Sequence, residues 1–175
     1  LGSGELLGNS AGAPGAYFYG NGLYKSVDNG ITWQSIASTA SNTPTTLDVW
    51  DLVWNIQIDP SVDTADILYA ATYGNVFRSP DGGKTWKTYL GGSTSYYTDI
   101  SVTSKGIVFA SLSSEGKDKG IWRSANGIDW VNITPSGYPS VYERMVFGVN
   151  PSNENEVYVL AQTPGYGKKT LNYYG

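Results

Sequence analysis

The chain of 175 residues contains no cysteine and no histidine. Without cysteine it can form no disulfide, no thiol nucleophile and no thiolate metal site. Without histidine it can hold neither a Ser-His catalytic pair nor a zinc ion bound by imidazole. Any catalysis would therefore rest on Asp, Glu, Tyr, Lys or Arg side chains.

Charged residues are also scarce, at 15% of the chain, and the net charge is −4. A weakly acidic chain has no basic footprint for nucleic acid, and no apolar run is long enough to cross a membrane as a helix. Glycine, tyrosine and tryptophan are abundant by contrast, with 22, 14 and 6 copies. This composition is typical of short strands joined by tight turns.

One short motif occurs three times, and similar apolar segments flank each copy. Each copy follows an apolar or aromatic segment that ends in a basic residue, namely Lys25, Arg78 or Arg123. The three copies are SVDNGITW at residues 26–33, SPDGGKTW at residues 79–86 and the shorter SANGIDW at residues 124–130. A motif in this context predicts a hairpin turn, and we call these segments the first, second and third turn motifs.

The residue types of the motif explain how such a turn is held. A Ser and an Asp or Asn two residues apart can turn their oxygens onto nearby backbone N–H groups. Gly30 and Gly83 supply the left-handed conformation of a bulged hairpin loop, and the Trp begins the outgoing strand as a large apolar side chain that we expect to be mostly buried between neighbouring sheets. The predicted structural residues are Ser26, Asp28, Gly30, Trp33, Ser79, Asp81, Gly83, Trp86, Ser124, Asn126, Gly127 and Trp130.

The pattern S-x-D-x-G-x-T-W resembles the Asp-box, also called the BNR repeat. This repeat occurs in sialidases, sortilin-type receptor domains, xyloglucan-active hydrolases, photosystem assembly propellers and secreted bacterial surface proteins. The resemblance implies an all-β fold, a β-propeller of four-stranded antiparallel blades. It implies little about activity, because enzymes and non-enzymes share the motif as a structural element.

The spacing of the motifs predicts the division of the chain into blades. Successive motifs begin about 45 to 53 residues apart, a typical blade repeat. Because three blades would fall below the usual four to eight, we expect a partial propeller from a longer chain. Its one domain is predicted to comprise an incomplete first blade (1–36), an inter-blade connection (37–50), a second blade (51–92), a third blade (96–134) and an incomplete fourth blade (142–175).

The predicted functional face lies opposite the turn motifs. Strand direction alternates within a blade, so the connections between blades lie at the other end of the strands, and aromatic rings beside carboxylates are suited to bind sugar. The candidate ligand-binding residues on that face are Trp50, Asp51, Tyr96, Tyr97, Asp99, Tyr142, Glu143 and Arg144. The alternative is that Trp54 and the tyrosines pack between blades.

Hydrolysis of a glycoside needs two carboxylates about 5 to 10 Å apart, and only Asp51, Asp99 and Glu143 fall near the expected channel mouth. In the xyloglucan-active family that the motif resembles, the catalytic Asp follows the second strand of a blade, where this chain has Tyr73. The sialidase family uses three arginines on its substrate, whereas two of the three arginines here precede turn motifs. We therefore predict no catalytic residue, no cofactor and no metal site.

These observations favour a non-catalytic extracellular or cell-surface module for binding or display of a protein or carbohydrate. Its expected partners are other blades or domains of the same protein, and a surface protein or polysaccharide, with no nucleic acid and no membrane insertion. The resemblance to bacterial surface proteins with BNR repeats implies secretion or surface display, with type IX secretion as the route. The alternative is a fragment of a propeller glycoside hydrolase, xyloglucanase-like or sialidase-like, whose catalytic residues lie outside this chain.

Overall fold

The computed structural model describes residues 5–7, 16–43, 46–92 and 97–163, with side chains from Tyr19 onward. This part of the chain forms fourteen β-strands and a short 3-10 helix, Ala37–Thr39. The strands are β1 Glu5–Leu7, β2 Ala16–Phe18, β3 Tyr24–Lys25, β4 Gln34–Ser35, β5 Val53–Ile58, β6 Leu68–Thr72, β7 Asn75–Ser79, β8 Lys87–Gly91, β9 Thr98–Val102, β10 Val108–Leu112, β11 Gly120–Ser124, β12 Trp130–Asn132, β13 Met145–Val149 and β14 Val157–Ala161. Among the described residues, no helix is long and apolar enough to span a membrane.

The strands form antiparallel sheets in chain order. The second sheet is the four-stranded meander β5-β6-β7-β8, and the third sheet is the four-stranded meander β9-β10-β11-β12. In the described residues, β1 pairs only with β2, β3 with β4 (the first hairpin) and β13 with β14 (the fourth sheet). The prediction of an all-β fold built from four-stranded antiparallel sheets is confirmed, and the arrangement is compatible with a propeller.

The second strands of the two complete sheets are buried on both faces. Every residue of β6 (LYAAT) and of β10 (VFASL) is buried, which explains why both read as short continuous apolar runs without polar alternation. The small side chains of Ala70 and Ala71 in β6 and of Ala110 in β10 are fully buried. A strand covered on both faces requires a neighbouring sheet on each side.

Successive sheets pack face to face. One cluster joins Tyr69 and Val76 of the second sheet to Ile100 and Val108 of the third. On the other face of the second sheet, a second cluster includes Leu23 of the first hairpin. A third cluster contains Ile121 of the third sheet with Met145 of the fourth. The sheets are therefore stacked in sequence order.

The first strands of consecutive sheets are neighbours. β9 lies beside both β5 and β13, as the innermost strands of blades do around a propeller axis. At one end of these strands the hydroxyl of Thr98 donates a hydrogen bond to the Thr72 carbonyl, 2.7 Å away, across the boundary between the second and third sheets. The sheets thus meet through polar as well as apolar contacts.

Candidate functional site

The second turn motif is held by its own side chains. Ser79 Oγ accepts the N–H of Gly83 at 2.8 Å and donates to Asp81 Oδ1 at 2.8 Å. The Asp81 carboxylate accepts the N–H of Thr85 at 2.9 Å and its hydroxyl at 2.6 Å. The indole of Trp86 donates to the Gly83 carbonyl at 3.1 Å, and Gly83 has a φ of 90°, where a side chain would be strained.

The first turn motif repeats these bonds, with Ser26 Oγ accepting from Gly30 N–H and the Asp28 carboxylate accepting both groups of Thr32. The third motif is one residue shorter and uses an amide. There Asn126 Oδ1 accepts the N–H groups of Ile128 and of Asp129, each at 2.9 Å. The expected hydrogen bonds are thus present in all three turns.

The two aspartates of the motifs are held as anions. Hydrogen bonds, first of all from the Thr32 hydroxyl, lower the pKa of Asp28 to about 2, and those from Thr85 lower the pKa of Asp81 to about 2. A carboxylate that is stabilised as an anion by three or more donors is a poor proton donor near neutral pH. These aspartates therefore build the turns and are unsuited to general-acid chemistry.

The tryptophans of the three motifs differ in burial. Trp86 packs partly buried beside Trp50, with ring centroids 5.0 Å apart, and Trp130 packs partly buried against the cluster between the second and third sheets. Trp33 is 51% exposed, so the expectation of burial is wrong for this residue. The reason is positional, because the described residues contain no four-stranded sheet ahead of the first hairpin.

Four of the candidate ligand-binding residues are buried. Trp50 stacks on Phe77 with ring centroids 4.5 Å apart, and the Asp51 carboxylate accepts the N–H of Asp48 at 2.7 Å within its own loop. Tyr142 packs against the third and fourth sheets, and burial raises the pKa of its hydroxyl. The four buried candidates are Trp50, Asp51, Asp99 and Tyr142, with exposures of 8%, 2%, 8% and 4%. These side chains serve packing and loop structure rather than an open surface.

Asp99, on the innermost strand β9, connects three successive sheets. Its Oδ1 accepts a hydrogen bond from the side-chain amide of Asn55 on β5, at 2.8 Å. Its Oδ2 accepts one from the backbone N–H of Phe147 on β13, at 3.2 Å. Asn55 also donates to the Ile100 carbonyl at 2.9 Å. We call Asn55, Asp99 and Phe147 the inter-sheet clasp.

Tyr97 belongs to an aromatic pair at the start of the innermost strands. Its ring lies 5.3 Å from that of Trp54, tilted by 38°, and both side chains are partly exposed. The pairing of β5 with β6 shifts register between Val53 and Asn55, so Trp54 is the extra residue of a β-bulge. Bulges re-aim a side chain and are frequent next to binding sites. Tyr96, the other candidate in this connection, lies outside the described residues.

The sequence placed Trp54 only in the alternative interpretation, as a residue that packs between blades, and did not single it out as a surface residue. An apolar run such as LVWNIQI indicates a strand, but it does not show which residue will bulge. The signal that could have been used was the position of Trp54, at the start of a first strand like Tyr97. The aromatic pair therefore becomes visible only once the register is known.

Glu143 and Arg144 lie at the start of β13, at the same end of the innermost strands as the aromatic pair, and both side chains are exposed. Their backbones extend the pairing with the second strand, because Glu143 N–H donates to the Gln162 carbonyl at 2.9 Å and Gln162 N–H donates to the Arg144 carbonyl at 2.8 Å. One anion and one cation are thus presented on a fixed backbone. Both are available to contact a ligand.

The three carboxylates considered for catalysis do not form an accessible pair. Asp51 and Asp99 are buried and hydrogen-bonded to protein donors, whereas Glu143 is exposed. Within the described part of the chain, no group of three or more acidic side chains is placed to hold a metal ion. The arrangement is suited to stacking and hydrogen bonding.

No family model matches the chain. Among curated proteins it is similar to xyloglucanase Xgh74A of Acetivibrio thermocellus, at 29% identity over 150 residues, which covers 73% of this chain and 18% of that protein. It is also similar to a xyloglucanase of a Paenibacillus species, at 28% identity over 138 residues, covering 66% of this chain and 13% of that protein. The chain thus spans less than a fifth of the length of these relatives. The similarity supports placement in a propeller-like superfamily related to glycoside hydrolases.

Proposed function

We propose that this chain is a carbohydrate-binding segment of an extracellular β-propeller of the Asp-box type, related to xyloglucan-active glycoside hydrolases. In this proposal the segment contributes contacts to a polysaccharide chain and does not complete a catalytic acid pair by itself. The observation that carries it is the partly exposed Trp54–Tyr97 pair on adjacent innermost strands.

The geometry of the pair fits a sugar ring. Aromatic rings offer a broad apolar face with negative potential, on which the C–H groups of a pyranose can stack. A platform made from two consecutive sheets is rigid because the inter-sheet clasp ties those sheets together directly beside it. Glu143 and Arg144 lie at the same end of the next innermost strand, where they can bond sugar hydroxyls.

The similarity to xyloglucanases supports a β-glucan backbone as the class of ligand. Enzymes of that kind act on polymers outside the cell, which supports secretion or surface exposure of the present chain. The catalytic role is assigned to other parts of a longer protein because, of the carboxylates considered, only Glu143 is exposed. A sialidase-like function has no comparable support.

The test is isothermal titration of the chain with a xyloglucan oligosaccharide, with sialyllactose as the comparison ligand. We expect binding of the β-glucan only. Trp54→Ala and Tyr97→Ala are each expected to weaken it by at least about tenfold, which corresponds to ~1.4 kcal/mol. Tyr158→Ala is the matched control, because Tyr158 is a 66% exposed tyrosine on β14 and outside the pair.

If Trp54→Ala binds the oligosaccharide with the same affinity as the parent chain, the aromatic pair is not part of the binding surface. Hydrolysis of xyloglucan by the 175-residue chain, abolished in Glu143→Ala, would show that the segment is catalytic and would overturn the non-catalytic part of the proposal. Circular dichroism of each variant verifies that the sheets are intact.

A further inference from the structure

Four buried polar groups at the interface of the second and third sheets have no hydrogen-bond partner among the described residues. They are the hydroxyl of Tyr69, Nε of Arg78 and the indole nitrogens of Trp122 and Trp130, and we call them the donor cluster. All four strands of both sheets belong to the described part of the chain. A buried donor without a partner lowers the folding equilibrium constant by roughly 5- to 150-fold. Four such groups in one interface therefore indicate a bound acceptor.

The members of the donor cluster face one another. Tyr69 of β6 pairs directly with Arg78 of β7, whose Cζ lies 6.0 Å from the centroid of the Tyr69 ring. Trp130 pairs with Ser124, two residues from Trp122, so both indoles lie on the same face of the third sheet. That face is turned toward the second sheet, because both indoles pack against the cluster that contains Tyr69.

The shortened third turn motif explains why the Trp130 indole lacks a partner. In the first and second motifs the indoles of Trp33 and Trp86 each donate to the carbonyl of the motif glycine, at 3.1 Å. The third motif is one residue shorter, and Trp130 makes no such bond within the described part of the chain. A methyl group added at Gly127 of this motif would come within 1.9 Å of the Tyr69 hydroxyl oxygen. The same turn thus carries the unpartnered indole and adjoins the unpartnered hydroxyl.

The chemistry of the donor cluster fits an anion better than a water molecule. Indole and guanidinium N–H groups can only donate, so the Tyr69 hydroxyl is the one member that can also accept. Burial raises the pKa of this hydroxyl, an effect that Arg78 partly offsets, and near neutral pH it keeps its proton. A water molecule would bring two hydrogens that also need acceptors, whereas a halide accepts from every donor and donates nothing.

The charges around the donor cluster also favour an anion. Arg78 pairs directly with Lys87 of β8, and like charges opposite each other on neighbouring strands repel. In the described part of the chain neither cation makes a salt bridge. The carboxylate of Asp59, whose charge acts on Tyr69, accepts the N–H and the hydroxyl of Ser61. The positive charge beside the cluster is therefore left for a bound anion.

We propose that the donor cluster is a binding site for a small monovalent anion of the size of chloride, held between the second and third sheets. Arg78, Trp122 and Trp130 are partly exposed, which gives the ion a path from the outer edge of the sheets. The bound ion joins the two sheets on the side of the turn motifs. This site is separate from the aromatic pair on the innermost strands and does not depend on a carbohydrate.

The experiment follows thermal unfolding of the 175-residue chain while sodium chloride replaces sodium gluconate at constant ionic strength. Chloride at ten times its Kd multiplies the folding equilibrium constant by about elevenfold, which corresponds to about 3 to 6 °C in Tm for a chain of this size. Trp130→Phe keeps an aromatic ring but removes the N–H. We expect the parent chain to gain about 3 to 6 °C more from chloride than this variant does. Tyr69→Phe removes a different donor and should lose the response in the same way.

Trp86→Phe is the matched control, because its indole donates to the Gly83 carbonyl and lies outside the donor cluster. It should be less stable than the parent chain yet respond to chloride to the same extent. Anomalous diffraction from crystals grown in sodium bromide should show a bromide ion beside the indole nitrogens of Trp122 and Trp130. An equal response of the parent chain and Trp130→Phe to chloride, or density for water alone at this place, would overturn the proposal.

Discussion

Removal of the Asp99 carboxylate should destabilise the fold without acting through a ligand. In Asp99→Ala the backbone N–H of Phe147 loses its acceptor at 3.2 Å, and the Asn55 amide loses one of two acceptors while it retains the Ile100 carbonyl. Hydrogen bonds to a charged acceptor contribute about 1.5 to 3 kcal/mol each. Because Asn55 keeps one acceptor, we expect the free energy of unfolding to fall by about 2 to 4 kcal/mol in total, which is less than the loss of two full hydrogen bonds to a charged acceptor.

The loss is measured by calorimetry or by urea unfolding followed by tryptophan fluorescence. For a chain of this size, 1 kcal/mol corresponds to about 2 to 4 °C in Tm, so the expected decrease is roughly 4 to 16 °C. Asp99→Asn keeps one acceptor oxygen and should lie between the parent and the alanine variant. The control is Asp63→Ala at an exposed position, for which we expect a change of no more than about 0.5 kcal/mol.

The opposite pattern would refute this reasoning. If Asp99→Ala unfolds at the same temperature as the parent chain but no longer binds a carbohydrate, the Asp99 carboxylate contacts the ligand directly. The inter-sheet clasp would then have no structural role. An effect on stability and on binding together would locate the clasp as a support of the aromatic pair, because the same strands carry both.

Two further perturbations test the turn motifs. The folded pKa values of Asp28 and Asp81 are about 2, below their ordinary 3.8, so their anions stabilise the fold above about pH 4 and this stabilisation is lost as the pH falls through about 2. The double variant Asp28→Asn, Asp81→Asn should therefore show a smaller decrease in Tm between pH 4 and 2 than the parent chain. An identical decrease would contradict the role of these carboxylates. Trp86→Ala should lower the free energy of unfolding by about 3 kcal/mol because the ring packs beside Trp50. Trp33→Ala should lower it by about 1 kcal/mol or less because that ring is 51% exposed. Equal losses of stability in urea unfolding would contradict the difference in their packing.

The strand order was predictable from the sequence because the turn chemistry is local. The Ser, Asp and Gly residues of the second motif fix a hairpin by contacts within five residues, and flanking apolar runs give the strands on each side. The lengths of β6 and β10 follow from continuous apolar segments bounded by polar turns. Information of this kind needs no knowledge of distant residues.

The composition of the candidate site was less predictable because burial depends on the neighbouring sheet. Trp50 and Tyr142 are placed in connections, where exposure is the usual expectation, yet each fills a space between two sheets. Trp54 is in a strand, where packing is expected, yet it is the extra residue of a bulge and its side chain is partly exposed. The local sequence does not determine either outcome, since both depend on register and on how consecutive sheets stack.

The meander order of the sheets determines which strands unfold first. Each complete sheet closes through hairpins between strands adjacent in sequence, so its contacts can form before those of the next sheet. Stability in such a linear stack is approximately a sum over units and their nearest neighbours. The amides of β6 and β10, which are covered on both faces, should therefore exchange with solvent later than those of β14, whose central side chains are exposed.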